Sequence, residues 1–302
     1  MNQYLDTPFC IKSALFVPGD RPDRIDKAFA SQASAVIIDL EDAVTPDKKI
    51  QARQTVREKT GKKPGKPVII RVNVLDSQFI EGDILATSQA GVFAIMIPKL
   101  SCRNELIEVS RLVLKAETEN DVPLGSIKIV PLVENALAVE NAYQIASTRT
   151  DFDRLFTVAF GAADFSLDLG VEMTREGLER QYPRARLALA CRAAGLEPPL
   201  DSPYMVDLKD LEGLEKDTLI AKNLGFGGKM CVHPTQIEII NRVFSYRQDE
   251  IVQAQKIIAA FKKAEAEGKG AIQLDGKFID IALVKKAQRI LAASDSVSEE
   301  EK

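Results

Sequence analysis

The stretch Ala35-Val-Ile-Ile-Asp-Leu-Glu-Asp42 opens on four apolar residues in unbroken succession and ends in three acids. An alternating pattern would mark a strand with one face in water, whereas a continuous run marks a strand covered on both faces. Similar short runs recur at residues 14–17, 68–72, 93–97, 127–133, 155–160, 229–232 and, more weakly, 200–204. Amphipathic or charged stretches lie between them, at 21–33, 48–58, 103–119, 135–147, 184–194 and 208–223. Strand-helix alternation implies a parallel sheet. Some eight such units in the first 245 residues have the number and length of an α/β fold of the (β/α)8 TIM barrel type, with a doubly wound open sheet as the competing architecture.

The ends of the runs favour the barrel. Asp20, Asp39, Glu41, Arg71, Asn73, Lys99, Glu134, Asp164, Asp201 and His233 all follow strand runs. In a closed parallel barrel those ends share one rim, where active sites form, and an open sheet would scatter them. Residues 1–245 are therefore expected to form the barrel. Residues 246–302 are expected to form a C-terminal helical extension, with helices at 248–267 and 282–292 and a lid segment between them, packing on the rim or on a neighbouring subunit. Gly268-Lys-Gly270 reads as a reversal between those helices.

Composition narrows the chemistry. The 302 residues carry 40 Lys plus Arg against 44 Asp plus Glu, a formal net charge of −4, which offers nucleic acid and anionic membranes no general attraction. A single histidine, His233, cannot build a multi-His metal site, and in Val-His-Pro it reads as structural. Cys10, Cys102, Cys191 and Cys231 are too dispersed for a redox pair or a zinc site and suit a reducing compartment. No apolar run approaches ~18 residues, and Met1–Pro8 lacks the pattern of a secretory signal, so a cytoplasmic location is expected. Gly225-Phe-Gly-Gly-Lys229 departs from the phosphate-loop pattern, with Asn223 at the first glycine position, and reads as a turn feeding the last strand.

Asp39, Glu41, Asp42, Glu134 and Asp164 on one rim would repel one another unless some were protonated or a cation sat among them. Oxygen ligands alone select a hard ion, Mg²⁺ first. Arg71 adds a planar fork suited to a carboxylate or a developing enolate. Each residue also has a plainer reading. Glu134 or Asp164 taken singly reads as a helix N-cap, Asp39-Leu-Glu-Asp42 as a solvated acidic loop, and Arg71 as a structural partner of Glu41 or Asp42.

These residues lie in segments that resemble the citrate lyase β-subunit-like branch of the HpcH/HpaI aldolase superfamily. The segments are Leu15-Phe-Val-Pro-Gly-Asp-Arg-Pro-Asp-Arg24, Ile37-Ile-Asp-Leu-Glu-Asp-Ala-Val44, Arg71-Val-Asn73, Ile97-Pro-Lys99, Pro131-Leu-Val-Glu134, Phe160-Gly-Ala-Ala-Asp-Phe165, Gly225-Phe-Gly-Gly-Lys229 with His233-Pro234, and Asp275-Gly-Lys-Phe-Ile-Asp280. Three positions depart from the pattern. Lys12 replaces a common Arg, Ala282 a common Pro, and Asp42 the His base of the wider aldolases.

The resemblance implies a (β/α)8 barrel, a homo-oligomer (a trimer or a multiple of one), and Mg²⁺ on the positions of Glu134 and Asp164. It gives Arg71 to the substrate carbonyl or carboxylate and brings Asp280 to an adjoining subunit's site. It implies carbon–carbon cleavage of a 3-hydroxyacyl thioester to an acetyl thioester and a 2-oxo acid. On that reading Asp280, or else Asp42, protonates the enolate, and Asp39, Glu41 and the backbone at Pro18-Gly19 help hold the acid. Arg24, Lys27 and Lys12 would meet coenzyme A phosphate. The leading substrate is (S)-citramalyl-CoA, with malyl-CoA and citryl-CoA behind it. Rival readings are a citrate lyase β-subunit served by an acyl-carrier protein, an acyl-CoA thioesterase and, from another class, a non-catalytic metabolite-binding paralogue. Loss of Arg71, Glu134 or Asp164 would mark that paralogue, and all three are present.

Overall fold

Eight parallel strands close on themselves in sequence order, so the architecture is the (β/α)8 TIM barrel rather than the open sheet. The computed structural model describes residues 11–61, 65–266 and 270–300, with side chains as far as 291. By compactness the chain divides into two units, Ile11–Phe244 and a second beginning at Ser245.

In the first unit the strands are β1 (Ser13–Pro18), β2 (Ala35–Asp39), β3 (Val68–Arg71), β4 (Ala94–Ile97), β5 (Lys128–Val133), β6 (Ala159–Phe160), β7 (Leu200–Asp201) and β8 (Gly228–Cys231). Between and after them run α1 (Pro22–Ala30), α2 (Lys49–Thr60), α3 (Ile80–Thr87), α4 (Arg103–Glu119), α5 (Ala136–Glu140), α6 (Ala142–Ala146), α7 (Ala162–Leu169), α8 (Leu178–Ala194), α9 (Leu211–Leu224) and α10 (Ile237–Phe244). The second unit holds α11 (Gln248–Ala266), a hairpin of β9 (Ile272–Leu274) and β10 (Lys277–Ile279), and α12 (Ile281–Glu300). A small core of Phe261, Ile279 and Val284 holds it together.

The period of two sorts each barrel strand. Val36, Ile38, Ile70, Ile95 and Val133 belong to the core shared with the helices, while the buried Ile37, Ile69, Met96, Leu132 and Met230 lie outside that cluster, on the alternate face that fills the barrel. Burying one such Ile or Leu fully contributes about 1.5–3 kcal/mol, and strands 2 to 4 expose almost nothing on either face. That double burial is why their sequences read as unbroken apolar runs.

Closure between β1 and β8 needs close backbone approach. A Cβ on Gly228 would collide with the carbonyl of Ile11, so the Gly-rich segment serves the seam, as its reading as a turn implied. Gly225, at φ +104°, ends α9 in the left-handed region.

Asp201 departs from its expected place on the rim. It is fully buried on the helix side of β7, where it takes both arms of the Arg184 fork at 2.9 Å and the Lys229 ammonium. Asp217 on α9 joins them, 2.7 Å from Lys229 and 2.9 Å from Arg184. One residue further on, Ser202 faces the cavity instead.

Candidate active site

The site is assembled from the C-terminal ends of the strands. Asp39 and Arg71 are paired positions on adjacent parallel strands, so their inward side chains stand side by side. The Arg71 fork grips both Asp39 oxygens at 2.7 Å and lies 5.0 Å over the Phe16 ring. Asp39 also accepts the backbone N–H groups of Glu41 at 2.9 Å and Ala43 at 3.0 Å. Every lone-pair direction of Asp39 is thereby committed to orienting Arg71 and the loop after β2, not to a ligand. Burial opposes the guanidinium charge, but Asp39, Glu41 and Asp42 outweigh it and hold the Arg71 pKa above its ordinary value.

The loop after β2 is no solvated acidic run. Asp39 and Glu41 are buried, and the Lys49 ammonium and Asn73 amide tie down the carbonyl of Leu40 at 2.8 and 3.0 Å. Glu41 stands between two cations, 3.1 Å from an Arg71 terminal nitrogen and 3.4 Å from Lys99 Nζ. Burial pushes its carboxyl up to about 7 despite the opposing pull of Arg71. Expected as a substrate contact, Glu41 lies outside the cavity lining. Asp42 does line it, with its side chain 62% exposed and 3.8 Å from Arg71.

Glu134 follows β5 and Gly161 follows β6, each one step beyond the paired Val133 and Phe160. A Cβ on Gly161 would come within 2.5 Å of Glu134 Oε2, so only glycine leaves that carboxylate its place. Glu134 is buried yet caps no helix, because Asn135 does so by accepting the Ala138 N–H at 2.8 Å. Asp164 lies in the first turn of α7 rather than at its cap, which is Gly161. Ser202 accepts the Ala162 N–H at 3.2 Å and Asp168 accepts that of Ala136 at 2.8 Å, fixing α7 against its neighbours. Burial, then the charges of Asp164 and Glu41, push the Glu134 carboxyl up to about 8.

Glu134, Asp164 and Arg71 face a single cavity of about 1070 Å³. Among the described residues no group of three His, Cys, Asp or Glu side chains is placed to hold a metal ion. Two carboxylates nevertheless suit Mg²⁺, which takes one or two from protein and completes its octahedron with water and substrate oxygens. Burial and then the Asp164 charge disfavour the ionised Glu134 carboxylate, a cost that a cation between the two would offset, so the donor set fits the ion.

The coenzyme assignments divide. Arg24 and Lys27 on α1 line the cavity, and Arg21, at the head of the same helix, joins them. Lys12 does not. It precedes β1, where its carbonyl accepts the Lys229 N–H at 2.9 Å, at the opposite end of the barrel from the rim. Pro18 lines the cavity, but Gly19 gives its N–H to the Asp39 carbonyl at 2.8 Å, and proline has none, so this backbone has no donor left for a substrate carboxylate. His233 lines the cavity, and its Nδ1 accepts the Thr235 backbone N–H at 3.3 Å as a helix cap and lies 2.8 Å from the Thr235 hydroxyl.

Asp280 belongs to the second unit, where it accepts the Leu283 N–H at 3.0 Å and starts α12. The thiols of Cys191 and Cys231 are pushed up to about 12 by burial, which removes them as nucleophiles, and Cys10 lies outside the described residues. In the sequence Lys99 is a polar strand end within the segment Ile97-Pro-Lys99, with no role attached to it. Its backbone N–H donates to Glu134 Oε1 at 2.8 Å, a role that residue type cannot announce. Burial lowers its ammonium pKa, but Glu41, Asp164, Asp42 and Glu134 more than reverse that, and the net shift is upward. No helix among the described residues is long and apolar enough to cross a membrane.

Comparison with known proteins agrees with the fold. The family model for HpcH/HpaI aldolase/citrate lyase matches residues 12–234, and the chain belongs to that family. It is a carbon–carbon lyase of the citrate lyase β-like type. The citrate lyase subunit beta of Leuconostoc mesenteroides subsp. cremoris is 33% identical over 94% of this chain and 93% of its own. A (3S)-malyl-CoA thioesterase of Cereibacter sphaeroides is 34% identical over 95% of both. Among solved structures, protein CitE of Mycobacterium tuberculosis in complex with magnesium, acetoacetate and coenzyme A superposes with a TM-score of 0.73 at 27% identity, covering 93% of this chain and 97% of that one.

Proposed function

We propose that the chain is a Mg²⁺-dependent lyase that cleaves a 3-hydroxyacyl-CoA thioester, with (S)-citramalyl-CoA, yielding acetyl-CoA and pyruvate, as leading substrate. The observation that carries this is the arrangement in one cavity of an Asp39-anchored Arg71 and the two carboxylates Glu134 and Asp164. Glu134 and Asp164 would hold the ion, which supplies Lewis-acid polarisation of the substrate's hydroxyl and neighbouring carboxylate.

Arg71 provides fixed positive charge for the thioester enolate as the carbon–carbon bond breaks. Its orientation is set beforehand by Asp39, so no reorganisation is needed at that moment. Asp42, exposed in the same cavity and beside Arg71, is placed to accept the proton that leaves the substrate hydroxyl and to return it to the enolate carbon, giving the acetyl thioester and the 2-oxo acid. Asp280 of an adjoining subunit is the other donor in a homo-oligomer, a trimer or a multiple of one. Arg21, Arg24 and Lys27 line the cavity on α1 and suit the phosphates of coenzyme A.

The substrate preference rests on the apolar part of the cavity lining. Leu132, Met205, Met230 and Val232 contribute to it, and among the described residues from β5 onward no lysine or arginine joins them, the polar lining there being Glu134, Asp164, Ser202 and His233. A methyl group suits these apolar side chains, whereas a citryl thioester would bring a second carboxylate with no lysine or arginine there to meet it. Malyl-CoA is the nearest alternative.

The test is product analysis with Mg²⁺ and a panel of citramalyl-, malyl- and citryl-CoA. Release of acetyl-CoA and pyruvate fastest from citramalyl-CoA is the expected result. Free hydroxy acid with intact carbon chain would identify a thioesterase instead. Activity only on citryl-acyl-carrier protein would assign a citrate lyase β-subunit, as the Leuconostoc relative is named.

A further inference from the structure

Five charged residues alternate in sign along a chain of contacts at one side of the barrel mouth, Asp39 and Glu41 from the end of β2, Arg71 from β3, Lys99 after β4 and Glu134 after β5. Asp39 holds the Arg71 fork at 2.7 Å, and Arg71 lies 3.1 Å from Glu41 Oε2. The other Glu41 oxygen is 3.4 Å from Lys99 Nζ, and the Lys99 N–H reaches Glu134 Oε1 at 2.8 Å. Lys99 makes its two links with different parts of itself, the ammonium toward Glu41 and the backbone toward Glu134. To do so it adopts φ +55°, a left-handed conformation that costs a non-glycine residue on the order of 1–3 kcal/mol.

We propose that Lys99 is a positioning residue that couples the substrate-facing Arg71 to the metal-facing Glu134. Its ammonium shares Glu41 with Arg71, so Glu41 does not neutralise the edge of the guanidinium that must meet an anion. Its N–H fixes Glu134 Oε1 and leaves Oε2 on the Gly161 side, at the cavity. The inference rests on the lyase reading given above.

The test compares Lys99→Met, Lys99→Gly and Lys99→Arg with the parent protein. Mg²⁺ is titrated by thermal shift without substrate, and kcat and KM are measured on the thioester that the parent cleaves. Loss of the ammonium makes the mouth more negative. Lys99→Met should therefore bind Mg²⁺ about threefold more tightly while kcat falls about tenfold or more. Lys99→Gly accepts the left-handed backbone without strain and keeps the N–H, so it should show the same split even if the methionine variant folds poorly. Lys99→Arg should recover kcat to within about threefold of the parent.

Weaker Mg²⁺ binding in both neutral variants would mean a purely structural role and overturn the proposal, as would an unchanged kcat. A parent protein without a Mg²⁺ response or lyase activity would defeat the lyase reading and this inference together. A responsive, active parent with parent-like variants would defeat the inference alone.

Discussion

Arg71 is the residue on which the chemistry turns, and Asp39 joins its expected partners Glu41 and Asp42 around it. The pairing of β2 with β3 sets Asp39 directly beside it, so Asp39 takes both arms of the fork while Glu41 and Asp42 meet its other terminal nitrogen. The bidentate grip requires a planar fork. Arg71→Lys should reduce kcat by about 10²–10³-fold in the steady state, because a point charge cannot keep Asp39 and face an enolate in one geometry. The acids carry a pH signature. Glu41 and Glu134 titrate near 7 and 8 in the folded protein, above the ordinary value of 4.5. Between about pH 5 and 8 the unfolded chain has lost protons that the folded one retains, so these groups lower the stability of the metal-free protein as pH rises. Its Tm should therefore fall over that window. The rise in Tm on adding Mg²⁺, which favours the ionised carboxylates, should be larger at pH 8 than at pH 6, and an equal rise at both would contradict the assignment.

At the scale of elements, legibility followed burial. Strands 2 to 5 were plain because apolar side chains cover both faces, and their bounds fall within a residue or so of the apolar runs. β6 and β7 shrink to two residues each, and the apolar stretch before β6 contributes only an isolated bridge between Ile129 and Leu155. α7 went unread because Gly161-Ala-Ala-Asp resembles a loop, yet it carries Asp164. α8 begins six residues before the stretch its periodicity marks, since Pro183 sits inside it. The hairpin of β9 and β10 did carry a signal, the Asp275-Gly276 turn with both residues at positive φ. Asp201 shows the limit of reading strand ends. A period of two sends it outward while Ser202 turns inward, and only the register decides which. The prediction at this scale concerns that outward side. Asp201→Ala leaves Arg184 and Lys229 buried with Asp217 alone, and should cost about 3–5 kcal/mol in denaturant unfolding. A loss below about 1 kcal/mol would show that the network is not holding β7, β8, α8 and α9 together.

For the whole molecule, barrel closure does the organising. It turns eight separate strand ends into one ring, and so brings Arg71, Glu134 and Asp164, spread over more than 90 positions of the chain, to one cavity. The sequence could carry that logic because the motifs sit at strand ends. It could not carry Lys99, whose contribution comes from backbone conformation, or the sorting of Lys12 away from Arg24 and Lys27, which depends on which end of β1 each occupies. The most direct measurement is the Mg²⁺-dependent thermal shift at pH 8 of the parent protein and of Asp164→Ala. The parent should be stabilised in a saturable way by millimolar Mg²⁺ and the variant should not respond, whereas equal shifts in both would mean that Glu134 and Asp164 do not share an ion.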